Sequence, residues 1–219
     1  FPFSETIDKM LTYSGQVYTP IRFDEYGILA PSGRYYTGTH PDGNLDTYGS
    51  CLNWASDTTG TAFGSTDATT AGWSSAFWTG CSITARLLCM QTGPGIALPA
   101  FQAIGKKVFL TSVWGNGNLS TWQGAGGKSG IAAADGVCQS RAEAAGLSNA
   151  LSFKAWLSDS STNAIDRLTS NGPWVRLDGV TVANSKADLT DGSIFTSINL
   201  TELGSYIGGN WPPWTGTGD

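Results

Sequence analysis

Apolar residues along this chain occur in short runs separated by Gly, Pro, Asn, Asp and Ser, and none approaches the ~20 residues of a membrane-spanning helix. In the first half, Val17-Tyr18-Thr19 reads as a strand end, because Pro20 lacks the amide that a central ladder needs. Gly27 to Ser50 is turn-rich, with Pro31-Ser32-Gly33 and Pro41-Asp42-Gly43-Asn44. Cys51-Leu52-Asn53-Trp54 predicts a short buried strand, Ser56–Thr70 a polar loop, and Ile83–Met90 a core strand bounded by Gly80 and Gly93-Pro94-Gly95. Residues 91–105, with Pro94 and Pro99, read as a linker.

Beyond it, Lys107–Val113 is a β-branched and aromatic run and predicts a strand. Gly115–Gly130 reads as loop. A helix follows over Ile131–Ala145, where Ile131, Ala134, Cys138, Ala142 and Ala145 recur at helical spacing and place Cys138 on the buried stripe; Gly146 suits the position just past its end. Phe153–Ser158 is a short helix or strand, and Trp174–Leu177, Asp178-Gly179 and Val180–Val182 spell a hairpin with a two-residue turn. The predicted class is α+β.

The chain also repeats itself. Ser14-Gly15-Gln16-Val17-Tyr18-Thr19-Pro20-Ile21 returns as Asp191-Gly192-Ser193-Ile194-Phe195-Thr196-Ser197-Ile198, and Glu25 and Gly27 return as Glu202 and Gly204. Tyr36-Thr37-Gly38-Thr39 is echoed by Trp214-Thr215-Gly216-Thr217. The spacing from Gly15 to Gly192 is 177 residues (192 − 15). Solenoid and propeller repeats have periods of roughly 20–50 residues, so this is the echo of a whole domain: a tandem domain cut at both ends, or one whose halves stand in reversed order.

Composition narrows the function. Charged residues make up 13% of the chain, about half the usual ~25%, and 29 glycines with many Ser and Thr give a surface of hydroxyls and amides. The net charge of −5 comes without a Lys/Arg cluster, which argues against nucleic acid. The opening Phe1-Pro2-Phe3-Ser4-Glu5 lacks the basic and apolar regions of a signal peptide, so an exported form would be processed or internal. The four cysteines, Cys51, Cys81, Cys89 and Cys138, contain no CxxC pair and share the chain with one histidine, so a zinc finger has no supporting spacing. They make two disulfides in an exported protein or four buried thiols, and sequence alone allows three pairings.

The order of blocks in the second half is distinctive: Lys107–Val113, a helix bearing Cys138, Lys154-Ala155-Trp156-Leu157-Ser158-Asp159, Asp166-Arg167-Leu168, Gly172-Pro173-Trp174-Val175-Arg176, Asp188–Gly192 and Trp214–Thr217. It resembles the front half of bacterial endostatin-like surface proteins, which belong with the C-type lectin-like fold. Residues 14–91, with Cys51–Trp54, Trp73, Cys81 and Arg86-Leu87-Leu88-Cys89, resemble the back half of the same domain. The resemblance implies a disulfide-bonded α+β fold with a mixed antiparallel sheet, one or two helices and long loops. Its halves would be residues 1–91 (back), a linker at 92–105, and 106–219 (front). It also implies the bridges Cys51–Cys81 and Cys138–Cys89, and a core containing Trp54, Trp156, Trp174 and Trp214.

The reversed order is reconciled in two ways. Strand 83–90 pairs with 107–113 as an antiparallel hairpin and completes one permuted domain, or the halves are completed by neighbouring copies, head to tail.

Candidate chemistry is sparse. A Ser-His-Asp triad would have to use His40, which sits in a Pro/Gly turn, and Asp24-Glu25 or Asp57/Asp67 read as surface acids rather than a glycosidase pair. No catalytic residue is assigned. Asp42, Asn44 and Asp46 alternate oxygen-bearing side chains as calcium loops do, although Asp-Gly-Asn is also ordinary turn chemistry. The Glu-Pro-Asn and Gln-Pro-Asp triplets of calcium-dependent sugar-binding lectins do not occur. Trp73, Phe77 and Trp78 border the Gly/Ser/Thr loop 56–72, which lies between Cys51 and Cys81 and reads as a tethered binding loop. The expectation is an extracellular or cell-surface adhesion module without enzymatic activity, holding a protein or glycan. Its alternative is a structural subunit of a filament or array that self-associates head to tail by exchanging half-domains.

Overall fold

The computed structural model describes residues 3–4, 6–12, 15, 17–30, 33–47, 49–93, 103–192 and 194–207. Trp214–Thr217 and most of the segment read as a linker lie outside them. The chain is α+β with mixed sheets, few helices and one disulfide. It divides into two compact units, Phe1–Phe101 with Tyr206–Asn210 and Gln102–Ser205 with Trp211–Asp219.

Unit one is built on a four-stranded sheet in the order β3-β2-β1-β4, with β1 at Arg34–Tyr36, β2 at Gly60–Ser65, β3 at Phe77–Gly80 and β4 at Arg86–Leu87. β2 pairs antiparallel with both β1 and β3, whereas β4 runs parallel to β1. The expected polar loop 56–72 therefore contains the most buried strand of the sheet. Its small residues explain why. Gly60 lies under the Trp78 ring and Gly64 under the Tyr35 ring, so close that a Cβ would come within 2.2 and 2.3 Å of them; the residues that read as loop are those that let rings pack flat on the backbone. Phe63 on the same strand is fully buried. Val17 and Tyr18 are buried without forming a strand, and Val17 packs with Met10 and Trp73.

Two further expectations are corrected in this unit. The core strand 83–90 shrinks to Arg86–Leu87, both exposed on the sheet edge. It pairs with β1, and the strand at Lys106–Val108 pairs in another sheet, so the hairpin between them is not formed. Cys51–Trp54 is a helical turn rather than a strand, and all four residues have positive φ, 53°, 52°, 56° and 66°. A left-handed turn costs L-residues roughly 1–2 kcal/mol each. It is held by the Cys51–Cys81 disulfide, by Ser50 Oγ accepting from Asn53 N, and by the Cys51 carbonyl accepting from Ala55 N and Ser56 N.

Unit two pairs β5 (Lys106–Val108) parallel to β6 (Trp174–Arg176), and β6 antiparallel to β7 (Thr181–Ala183). The β6–β7 hairpin expected here is present, but its turn is not the two-residue Asp178-Gly179 one: Arg176 N donates to the Val180 carbonyl and Gly179 N to that of Arg176, so three residues, Leu177, Asp178 and Gly179, connect the strands, with Gly179 in left-handed backbone (φ +87°). The long helix covers Gly130–Ala144 and ends on Gly146 (φ +67°). Gly146 N donates to the Glu143 carbonyl and Leu147 N to that of Ala142, the paired closure that a left-handed glycine permits. Its buried face, Ala133 and Val137, packs with Ala125 against Val113, Leu119 and Trp122. A second core joins Trp174, Val182 and Ala183 to Val108, Leu168, Leu189 and Ile198. Phe153–Ser158 is neither helix nor strand beyond the end of a short 3-10 turn at Ala150–Ser152.

Two buried charge clusters fasten this unit. Asp135 on the long helix accepts from Arg167 (2.6 Å), Lys154 (3.1 Å) and Ala155 N (3.0 Å). Burial alone would raise its pKa, but these donors hold the carboxyl below its ordinary range. Arg176 is fully buried and donates to both carboxylate oxygens of Asp178, to the Ser197 carbonyl (3.0 Å) and to Asn199 Oδ1 (2.6 Å).

Candidate functional site

The sheet of unit one carries a ladder of rings. Tyr36, Phe63 and Phe77 are cross-strand partners on β1, β2 and β3 and therefore share a face. Their ring centroids stand 4.8 Å (Tyr36–Phe63) and 6.1 Å (Phe63–Phe77) apart, the second pair stacked within 13°. At one end the left-handed turn sets Trp54 edge-on against Tyr36 at 5.8 Å. At the other, the Arg34 guanidinium lies 5.2 Å over the Phe77 ring. The Tyr36 hydroxyl donates to the Ile83 and Cys81 carbonyls, which fixes the middle of the ladder.

The centre of this ladder is buried and its ends are open: Phe63 is sealed, whereas Trp54 and Phe77 stay about half exposed. Exposed aromatic rings held by a packed neighbour are rigid contact area that costs little entropy to order.

Of the three aromatic residues expected to bind ligand, Trp73 does not belong to the site. It is 7% exposed, donates its indole N–H to the Met10 carbonyl (3.3 Å) and packs edge-on against Phe3. The loop expected beside it is a core strand, and Trp73 packs with Met10 and Val17 in the core of the unit. Phe77 (41% exposed) and Trp78 (52%) are open. As adjacent strand residues they point to opposite faces of β3, so only Phe77 joins the ladder. Trp54, expected in the core, is the ring that sequence reasoning missed. Its exposure follows from the left-handed backbone, which neither propensity nor periodicity announces.

The cysteines divide. Cys51–Cys81 is bonded, with Cα atoms 5.7 Å apart, and closes the loop that contains β2 and β3. Cys89 and Cys138 are free thiols, and the Cys138–Cys89 bridge is not formed. Cys89 is exposed just past the short edge strand. Cys138 stands mostly buried on the long helix, where burial, with the Asp135 carboxylate next, pushes its pKa up to about 11.

Asp42 and Asn44 form a turn. Asp42 Oδ1 accepts from Asn44 N and faces His40 Nδ1, both at 3.0 Å, and the Asn44 N–H bond with help from His40 holds its carboxyl below the usual range. Asp46 is buried. Among the described residues no three His, Cys, Asp or Glu side chains gather as metal ligands. No described helix is long and apolar enough to cross a membrane. In comparisons with protein-family models, curated proteins and solved structures, nothing matches this chain.

Proposed function

We propose that this chain is a non-enzymatic binding or adhesion module of the C-type lectin-like, endostatin-like kind, secreted or held at the cell surface, and that it grips a protein or glycan ligand with the open ends of the ring ladder in unit one. The observation that carries this reading is the strained Cys51–Trp54 turn: four consecutive left-handed residues, tethered by a disulfide, hold Trp54 at the surface against Tyr36. Such strain persists only where the surroundings over-determine it, and it concentrates at ligand clamps. A disulfide is in keeping with an oxidising, extracellular setting.

The test is to screen the purified protein against immobilised neutral oligosaccharides and extracellular proteins, then repeat any binding with Trp54→Ala and Phe77→Ala. Both side chains are half-exposed, so each variant retains its fold. The expected result is a loss of affinity of at least about tenfold for Trp54→Ala, the size of an interface anchor. Ligands held equally well by both variants would show that the ladder is not the contact surface, and a protein that holds none of them would overturn the reading.

A second reading, the structural subunit that self-associates head to tail, is favoured by a different observation. The repeated segment makes the same turn in both units, and its leading residues are covered in unit two (Leu200, Thr201, Glu202) but open at Phe23 and Glu25 in unit one.

A further inference from the structure

Residues 23–29 of unit one expose Phe23, Tyr26, Ile28 and Leu29, four large apolar side chains in seven residues. Exposed apolar side chains gathered in one short segment mark a contact surface. What covers the leading part of this one is shown 177 residues on (204 − 27), where the chain repeats the turn: Leu200, the counterpart of Phe23, is covered there, while Leu203, the counterpart of Tyr26, stays exposed in that turn as well. In unit one, Asp24 N donates to the Ile28 carbonyl (3.1 Å), Gly27 N to the Asp24 carbonyl (3.0 Å) and Ile28 N to Asp24 Oδ1 (2.9 Å). In unit two, Thr201 N donates to the Ser205 carbonyl (2.9 Å), Gly204 N to the Thr201 carbonyl (3.0 Å) and Ser205 N to Thr201 Oγ1 (3.1 Å). The glycine φ angles are +75° and +76°. One backbone shape is made twice.

In unit two that shape lies against an extended segment. Leu110 N donates to the Leu200 carbonyl (2.9 Å), Leu110 and Thr201 pair in parallel, and Glu202 accepts from Ser112 N (2.8 Å) and from the Ser112 hydroxyl. Leu200 is 2% exposed there, whereas its counterpart Phe23 is 64% exposed. The first turn keeps the groups this contact uses, Phe23 for Leu200 and Glu25 for Glu202, and the Pro20 carbonyl stands at the place of the Ser197 carbonyl, which accepts from Arg176.

We propose that residues 22–28 are a docking edge for the Leu110–Ser112 segment of a second copy of this chain, which accepts them in place of its own residues 199–205. Because the two partners offer different surfaces, each copy would have one free end, and the contact would propagate as an open head-to-tail series. This rests on the self-assembly reading and names its contact. One residue opposes the exchange. Arg22 stands where Asn199 accepts from the fully buried Arg176, so docking brings a second guanidinium against the first. A chain's own turn also has the advantage of its tether. Exchange is accordingly held in check in this sequence and released by Arg22→Asn.

The experiment is sedimentation of the full chain across a wide range of concentration, with Arg22→Asn, Phe23→Asp and Glu25→Gln. All three side chains lie outside the unit's core, and the Arg22–Asp67 pair that the first removes is a partly exposed 3.6 Å contact, so the fold survives. Arg22→Asn is expected to strengthen association by at least about tenfold, and adding Phe23→Asp to it to remove that gain. Mixing a Glu25→Cys chain with a Ser112→Cys chain, both in a Cys89→Ser background, is expected to yield a mixed disulfide between the two. Oligomers indifferent to Arg22→Asn and Phe23→Asp, with no mixed disulfide, would overturn this contact while leaving self-assembly standing. Monomers throughout, Arg22→Asn included, would overturn both.

Discussion

The turn at residues 22–28 and the turn at 199–205 have the same hydrogen bonds and the same left-handed glycine, yet Phe23 and Glu25 lie open where Leu200 and Glu202 are covered. Their shape is local: a side-chain oxygen at the first position accepts from the amide four residues on, and Gly supplies the positive φ. Their burial is not local, since it comes from a segment about ninety residues away in the chain, Leu110–Ser112. The pair thus separates what a sequence dictates at short range from what tertiary partners add. The largest expected break in the symmetry is at the apolar position. Leu200→Ala deletes a buried side chain and should cost about 2–5 kcal/mol, whereas Phe23→Ala in a monomeric chain should stay within about 0.5 kcal/mol; midpoints of denaturant unfolding for the two variants measure the difference. Equal costs would mean that Phe23 is covered in solution.

Next in size is the acid of the turn. Glu202 is buried and receives two donors from Ser112, so Glu202→Ala removes two charge-assisted hydrogen bonds from the half-buried Ser112 and should cost about 1–3 kcal/mol. Glu25→Ala removes an exposed carboxylate and should be near neutral. The same denaturation series reads both. A third comparison should show no difference. Gly27→Ala and Gly204→Ala force a Cβ into left-handed backbone, and neither site has an atom within 4 Å of that Cβ. Each should therefore cost the same, about 1–2 kcal/mol. Unequal values would show that the two turns are not conformationally alike outside their hydrogen bonds.

The same division explains what could be read from the sequence. The hairpin around Asp178-Gly179, the helix ending at Gly146 and the echo of Gly27 in Gly204 are signals written within a few residues, and the structure contains each of them. The central strand Gly60–Ser65 reads as loop because Gly and Ala, half of its residues, are weak strand formers. Their value appears only when the Trp78 and Tyr35 rings, from other strands, fill the space that side chains would have taken. Ile83–Met90 failed in the opposite sense. Its apolar pattern suits a core strand, but Arg86–Leu87 sits at an edge with a single neighbour. At the candidate site Phe77 was legible as an aromatic beside a disulfide loop. Trp54 was not, because its exposure depends on four residues adopting a backbone that L-amino acids avoid.

The smallest effect at neutral pH concerns the two free thiols, which differ between the units as the turns do. Cys89 is exposed and Cys138 is mostly buried, so a thiol reagent at pH 8 should label Cys89 quickly and Cys138 only when unit two opens. Cys138 also makes stability depend on alkaline pH, with a definite sign. Its folded pKa of about 11 lies above the ordinary thiol value of 9.0, so the folded state keeps a proton that the unfolded chain gives up first. The contribution is complete below pH 9, falls as the unfolded thiol ionises, and is lost by about pH 11. Cys138→Ser should flatten this part of the unfolding profile of unit two, while Cys89→Ser leaves it unchanged. If the Cys138→Ser profile keeps its full slope between pH 9 and 11, the alkaline loss belongs to other groups, and Cys138 is less sealed than its place on the helix indicates.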